Sequence, residues 1–143
     1  MFIRHCLWGP LASLAFAAAA HADPCAAIPD RGPMPAYLHK GGQFSGPVDY
    51  VGDGDSLCVG VGPQPGEWVE VRLADFYAPE LHEAGGPAAK AALAGIAMGR
   101  HADCVADHRS YVRIVASCRI NGRDIGDLMR AAGVTEGGRG YGR

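Results

Sequence analysis

Two aspartates, Asp53 and Asp55, stand either side of a glycine in the segment GDGDS, residues 52–56. In an extended chain, side chains two residues apart point to the same face. Two carboxylates on one face offer the oxygen ligands that a hard cation takes. Asp and Gly are also common turn residues. From the residues alone, the segment is therefore either a turn between strands or part of a metal site.

Charged side chains that suit phosphodiester chemistry follow further along the chain. The segment VEVRLADFYAPE brings Arg72 to a strand end and Glu80 after a proline, and YVRIVA brings Tyr111 and Arg113 to a strand start. In phosphodiester hydrolysis a carboxylate activates water, a cation bridges phosphate oxygens, and guanidinium groups offset the charge that grows on those oxygens. These residue types predict a phosphodiesterase, although either arginine alone is typical of a solvated strand end.

The hydrophobic pattern predicts the elements that must position these residues. Alternating apolar residues and turn signals indicate five strands, and two stretches of high helix propensity indicate two helices. The strands are expected around residues 44–51, 57–61, 68–73, 102–106 and 113–120, and the helices over 87–98 and 124–132. Three strands, a helix, two strands and a helix predict a β-rich α+β protein, an OB-fold with a five-stranded Greek-key barrel.

The same segments resemble, in order and spacing, the motifs of the thermonuclease family of staphylococcal-nuclease-like domains. The matching segments are GDGDSLCV, VRLADFYAPE, GGPAAKAALAGIAMG, YVRIVA and NGRDIGDLMRAAG, and the resemblance covers about residues 43–135. It implies an OB-fold and a calcium-dependent phosphodiesterase that acts on DNA and RNA. It also implies that Asp55 binds the calcium directly, with Asp53 in the outer shell of that site.

The resemblance implies a role for the remaining matched residues. Glu80 matches the general base of the family, and Arg72 and Arg113 match its two phosphate-binding arginines. Tyr111 matches a tyrosine beside the terminal phosphate of the substrate. Together these matches imply hydrolysis of a nucleic-acid phosphodiester bond at this site.

Two positions depart from the family pattern. Tyr77 stands where the family has a second calcium-binding aspartate, and a neutral phenol is a poorer ligand than a carboxylate. Asp75, two residues earlier, either supplies that ligand or is an exposed charge, and the offset of about 7 Å along a strand favours the exposed charge. Val112 stands where the family has glycine, and valine resists backbone angles that glycine permits. The alternative function is an OB-fold module that binds nucleic acid without efficient hydrolysis.

The first residues of the sequence predict export. Residues 1–22 combine a basic start, a short apolar run and an Ala-x-Ala site, which is typical of a secretory signal. We expect a secreted or periplasmic monomer without a membrane span after cleavage. Of the 143 residues, 121 remain, enough for one domain. We divide them into an irregular lead-in over 23–42, the OB-fold domain over 43–135 and a flexible tail over 136–143.

Four cysteines remain in residues 23–143, and an even number in an exported protein predicts two disulfides. Cys104 and Cys118 lie symmetrically about residue 111, the centre of the predicted hairpin. We expect them to face each other and bond, which leaves Cys25 to pair with Cys58. Neither a CxxC motif nor paired histidines indicate zinc.

Charge is distributed unevenly along the sequence. Residues 23–99 contain 4 basic and 10 acidic residues, whereas residues 100–143 contain 8 and 5. A nucleic-acid binder is usually basic, so only the second half favours an anion-binding surface. A disulfide-linked structural protein of the cell envelope is a third interpretation, but it leaves Arg72, Glu80 and Arg113 unexplained.

Overall fold

A computed structural model describes residues 23–143, and the signal predicted for residues 1–22 lies outside the described residues. Six strands and two α-helices follow an irregular lead-in. The strands are β1 (Gln43–Val51), β2 (Ser56–Gly60), β3 (Trp68–Leu73), β4 (His101–Ser110), β5 (Arg113–Ile120) and β6 (Arg123–Asp124), and the helices are α1 (Gly86–Ala97) and α2 (Ile125–Ala131). Between residues 23 and 143, none of the helices has the length and apolar composition needed to cross a bilayer.

Strand pairing closes the sheet into a barrel. The antiparallel order is β3-β2-β1-β4-β5-β6, and a parallel pairing of β3 with β5, from Val71 opposite Ile114 to Leu73 opposite Ala116, joins the two sides. The result is a closed five-stranded mixed barrel with two helices, and the two-residue strand β6 extends one side. This OB-fold-like, β-rich α+β architecture confirms the predicted fold class.

The alternation of residues along β3 decides which side chains reach the site. Val69, Val71 and Leu73 are buried in the barrel, whereas Glu70 and Arg72 point outward. Burying each of these apolar side chains contributes roughly 1.5–3 kcal/mol, so the register of β3 is strongly fixed. Its charged residues must therefore lie on the outer face.

Both predicted disulfides are present. Cys104 lies directly opposite Cys118 on β4 and β5, with Cα atoms 4.1 Å apart. Cys25 is bonded to Cys58, with Cα atoms 5.7 Å apart, and attaches the lead-in to β2. A disulfide stabilises the folded protein by lowering the entropy of the unfolded chain. For Cys104 and Cys118, which are 14 residues apart, this contributes about 3 kcal/mol. Two disulfides are typical of a protein from an oxidising compartment.

The start of α2 differs from the sequence prediction. Asp124 is at the N-cap position, as predicted, but its side chain makes no capping hydrogen bond and instead accepts one from Arg119 Nε at 2.8 Å. The helix is capped from outside, because Asp75 Oδ2 accepts a hydrogen bond from the N–H of Gly126 at 3.1 Å. The expectation that Asp75 is an exposed charge is wrong, since its partly buried carboxylate packs on α2. Burial raises the pKa of Asp75.

Candidate functional site

The GDGDS segment forms the turn between β1 and β2. Asp53 Oδ1 accepts hydrogen bonds from the N–H of Asp55 at 3.0 Å and from the hydroxyl of Ser56 at 2.8 Å. Aspartate often fixes a turn in this way. Gly54 is needed because a Cβ atom there would lie 2.5 Å from the Cβ of Ala78. The turn is therefore packed tightly against the segment that follows β3.

Asp55 lies buried at the base of this turn, with 6% of its side chain exposed. Its Oδ2 accepts a hydrogen bond from the N–H of Ala78 at 2.8 Å and lies 3.1 Å from Nη2 of Arg72. Burial raises the pKa of Asp55 to about 7, against the opposing effects of the Ala78 N–H and the Arg72 charge. The Asp55 carboxyl group therefore binds a proton more tightly than an exposed aspartate does.

Arg72 is held by Asp55 and by two further groups. Its Nη2 donates a hydrogen bond to the carbonyl of Arg139 at 3.3 Å, and its Cζ lies 5.4 Å from the centre of the Tyr77 ring. Its Nε is buried and, among residues 23–143, has no hydrogen-bond partner. A buried unpaired donor costs about 1–3 kcal/mol.

The Tyr77 position brings an aromatic ring, and not a second carboxylate, to the neighbourhood of Asp55. Calcium takes about six to eight oxygen ligands. Within the described part of the chain, one group brings three candidate ligand atoms within 4.8 Å of one another: Asp23, Cys25 and Cys58. It does not include Asp55, and its two cysteines are bonded to each other. The residues around Asp55 do not complete a calcium site, so calcium binding stays a prediction and no step below depends on it.

A polar cavity of about 500 Å³ lies beside the turn. Charged side chains from five parts of the chain line it: Asp23, Asp53, Glu70, Lys90 and Arg113. Arg113 Nε lies 4.0 Å from Glu70 Oε1. Glu70 and Arg72 share the outer face of β3, and Arg113 lies beside Glu70 on the paired strand β5, so both predicted arginines lie on the outer face of the barrel. The Arg72 charge also acts on Asp53 in the turn.

The carboxyl groups of this face differ in their affinity for protons. Burial alone would raise the pKa of Asp53, but hydrogen bonds from Asp55 and Ser56 and the Arg72 charge hold it below its ordinary value. Burial, reinforced by the neighbouring Asp23, raises the pKa of Glu70 to about 7. Asp53 therefore binds a proton less tightly than an exposed aspartate does, whereas Glu70 and Asp55 bind theirs more tightly than exposed carboxyl groups do.

Glu80 and Tyr111 are not brought into contact with these residues. The N–H of Glu80 donates to Glu83 Oε2 at 2.9 Å, and the Glu80 carboxylate forms no hydrogen bond or ion pair with residues 23–143. Tyr111 is 86% exposed at the tip of the β4–β5 hairpin. The residue with a positive φ at this tip is Tyr111, whose φ is 58°, and not Val112. Val112 therefore avoids the backbone angle that valine was expected to resist.

Sequence reasoning missed three residues of the cavity, Asp23, Glu70 and Lys90. The alternation in WVEVRL places Glu70 on the face of Arg72 and would have found it. The predicted Cys25–Cys58 bond would have brought Asp23 near β2, where Asp23 Oδ1 lies 3.1 Å from Cys58 Sγ. No local signal marks Lys90.

A scan against protein-family models and a search of the curated proteins found no match to this chain.

Proposed function

We propose that this chain is an exported phosphodiesterase of the thermonuclease kind that hydrolyses nucleic acid. The observation that supports the proposal is that Arg72 and Arg113 both lie on the outer face of the barrel, Arg72 in contact with Asp55 of the turn and Arg113 in the cavity that Asp53 also lines. Guanidinium groups form paired hydrogen bonds with phosphate oxygens.

In this function the arginines bind the phosphate and offset the charge that develops on its oxygens as water attacks phosphorus. The Asp55 carboxylate holds the Arg72 guanidinium in place through their 3.1 Å contact. By the resemblance to the family motif, we assign to Glu80 the removal of a proton from the attacking water; its carboxylate forms no hydrogen bond or ion pair with residues 23–143. The bond between phosphorus and the leaving oxygen then breaks, that oxygen takes a proton from solvent, and Glu80 releases its proton to solvent.

A second candidate function is binding of nucleic acid without efficient hydrolysis. The Tyr77 ring favours it, because the ring occupies the place of a second carboxylate and contacts Arg72. Both candidates use the same arginines for phosphate binding. They differ in whether the phosphodiester bond breaks.

The test is cleavage of single-stranded DNA by oxidised residues 23–143 with calcium, with other divalent ions and with chelator. We expect cleavage by the wild type and a loss of about tenfold or more in Arg113→Gln, since each charge-stabilising donor contributes that much or more. Arg123→Gln, on the exposed strand β6, is the matched control and should leave cleavage unchanged. Binding without cleavage under every ion would leave the second candidate, and the absence of both would contradict both functions.

A further inference from the structure

The last eight residues, Glu136–Arg143, which we call the tail segment, pack against the candidate site at Tyr77 and Ala78. Glu136 Oε1 accepts a hydrogen bond from the N–H of Tyr77 at 3.2 Å, and the N–H of Gly137 donates to the Tyr77 carbonyl at 3.0 Å. At Gly138 a Cβ atom would collide with the Ala78 carbonyl, and its φ is +78°. Only glycine fits that position without strain. These contacts give the start of the tail segment a defined position beside Tyr77. The flexibility predicted for the tail from the sequence stays a prediction.

The tail segment continues a row of ring and guanidinium groups from the interior of the site to its surface. The Arg72 guanidinium lies over the Tyr77 ring, and the Tyr77 ring centre lies 6.5 Å from that of Tyr141 at an interplanar angle of 58°. Tyr141 is 56% exposed. The outermost member of the row therefore has aromatic surface free for a ligand.

The charge of residues 137–143 suits the binding of a polyanion. Residues 137–143 contain Arg139 and Arg143 and no acidic residue, and both side chains are exposed. The one carboxylate side chain of the tail segment, that of Glu136, is paired with Arg130 at 3.3 Å, and the Asp55 carboxylate is paired with Arg72. Positive charge that neutralises phosphates supplies most of the salt-dependent affinity for nucleic acid.

We infer that the tail segment and Tyr77 form a binding surface for single-stranded nucleic acid. A base stacks on the exposed ring of Tyr141, and the phosphates beside it lie against Arg139 and Arg143. A single strand is required because bases within a duplex do not present their faces to a side chain. This inference rests on the proposed function being correct about nucleic acid as the ligand, and not on hydrolysis.

The first test is fluorescence anisotropy with residues 23–143, a labelled oligothymidine and a blunt duplex of equal length, in chelator. We expect tighter binding of oligothymidine. Tyr141→Ala should weaken it by about 5- to 100-fold, as expected for loss of one stacked base, and Tyr141→Phe should retain it. Tyr37→Ala, which removes another tyrosine that is 38% exposed, is the matched control and should change nothing.

The second test separates charge from stacking. Arg139→Gln keeps the backbone carbonyl that accepts from Arg72, and should reduce the slope of log affinity against log salt by about 0.7. A chain ending at Gly138 should bind oligothymidine more weakly than the full chain. Equal or tighter binding by that chain, or no effect of Tyr141→Ala, would overturn the inference about the tail segment. Neither result would contradict the proposed hydrolysis, which is tested by cleavage. Binding with no cleavage under any ion would instead count against the proposed hydrolysis alone.

Discussion

Neutralising Glu70 should stabilise the protein at high pH and leave its stability at low pH unchanged. The Glu70 side chain is 13% exposed on the outer face of β3. Burial and the neighbouring carboxylates of Asp23 and Asp53 raise its pKa from 4.5 to about 7, against the pull of Arg113. The folded protein therefore binds this proton more tightly than the unfolded chain does.

The sign and size of the effect follow from that difference in pKa. The stability contribution of Glu70 is full below about pH 4.5 and is lost as the pH rises through about 7. The full shift corresponds to a ceiling of about 3 kcal/mol. Solvent screening, and the Arg113 charge that glutamine leaves without its carboxylate partner, reduce the expected gain of Glu70→Gln to about 1 kcal/mol. For a domain of this size, that raises Tm by about 4 °C.

The assay is thermal unfolding of the wild type and Glu70→Gln at about pH 4 and about pH 8. Asp30→Asn, which removes an exposed carboxylate of the lead-in, is the matched control and should follow the wild type at both values. A Glu70→Gln variant less stable than the wild type at the higher pH would refute the reasoning. It would show that attraction to Arg113 outweighs the cost of burying the Glu70 charge.

Three further changes have expected outcomes. Gly54→Ala should lower the free energy of unfolding in urea by about 1–3 kcal/mol through overpacking, whereas Gly66→Ala, where a Cβ meets no atom within 4 Å, should change it little; equal effects would show that the turn is not tightly packed. Replacing Cys104 and Cys118 together by alanine should cost about 3 kcal/mol in the same assay, and a cost under about 1 kcal/mol would contradict the role given to that bond. Tyr77→Asp should tighten calcium binding in calorimetry by about tenfold or more, because a carboxylate replaces a phenol; unchanged affinity would show that position 77 is not what limits the ion.

Local patterns in the sequence were sufficient for most of the fold. The period-2 alternation of β3 separates the buried Val71 from the outward Arg72, and the symmetric placement of Cys104 and Cys118 about the hairpin predicts their bond. The parallel pairing of β3 with β5 was not predicted. It joins stretches about forty residues apart, and alternation identifies a strand without identifying its distant partner.

The site was predicted in part. Asp55 and Arg72 meet as the motifs suggest, but their contact is an ion pair with each other, which depends on burial that no local pattern shows. Asp75 caps α2 because two elements distant in sequence pack together. The tail segment has the glycine-rich composition of a mobile end, yet Gly137 donates a hydrogen bond to the Tyr77 carbonyl and Gly138 lies where a Cβ atom would collide with the Ala78 carbonyl.

The most direct test of the proposed hydrolysis is the effect of Glu80→Gln on cleavage and on binding, measured separately on the same single-stranded DNA. We predict a fall in kcat of about 100-fold or more with the dissociation constant unchanged, because a general base acts on the transition state and not on the bound ground state. Glu67→Gln, on the exposed 3-10 turn before β3, should change neither quantity. Cleavage by Glu80→Gln at the wild-type rate, or an equal loss of cleavage and binding, would contradict the role proposed for Glu80.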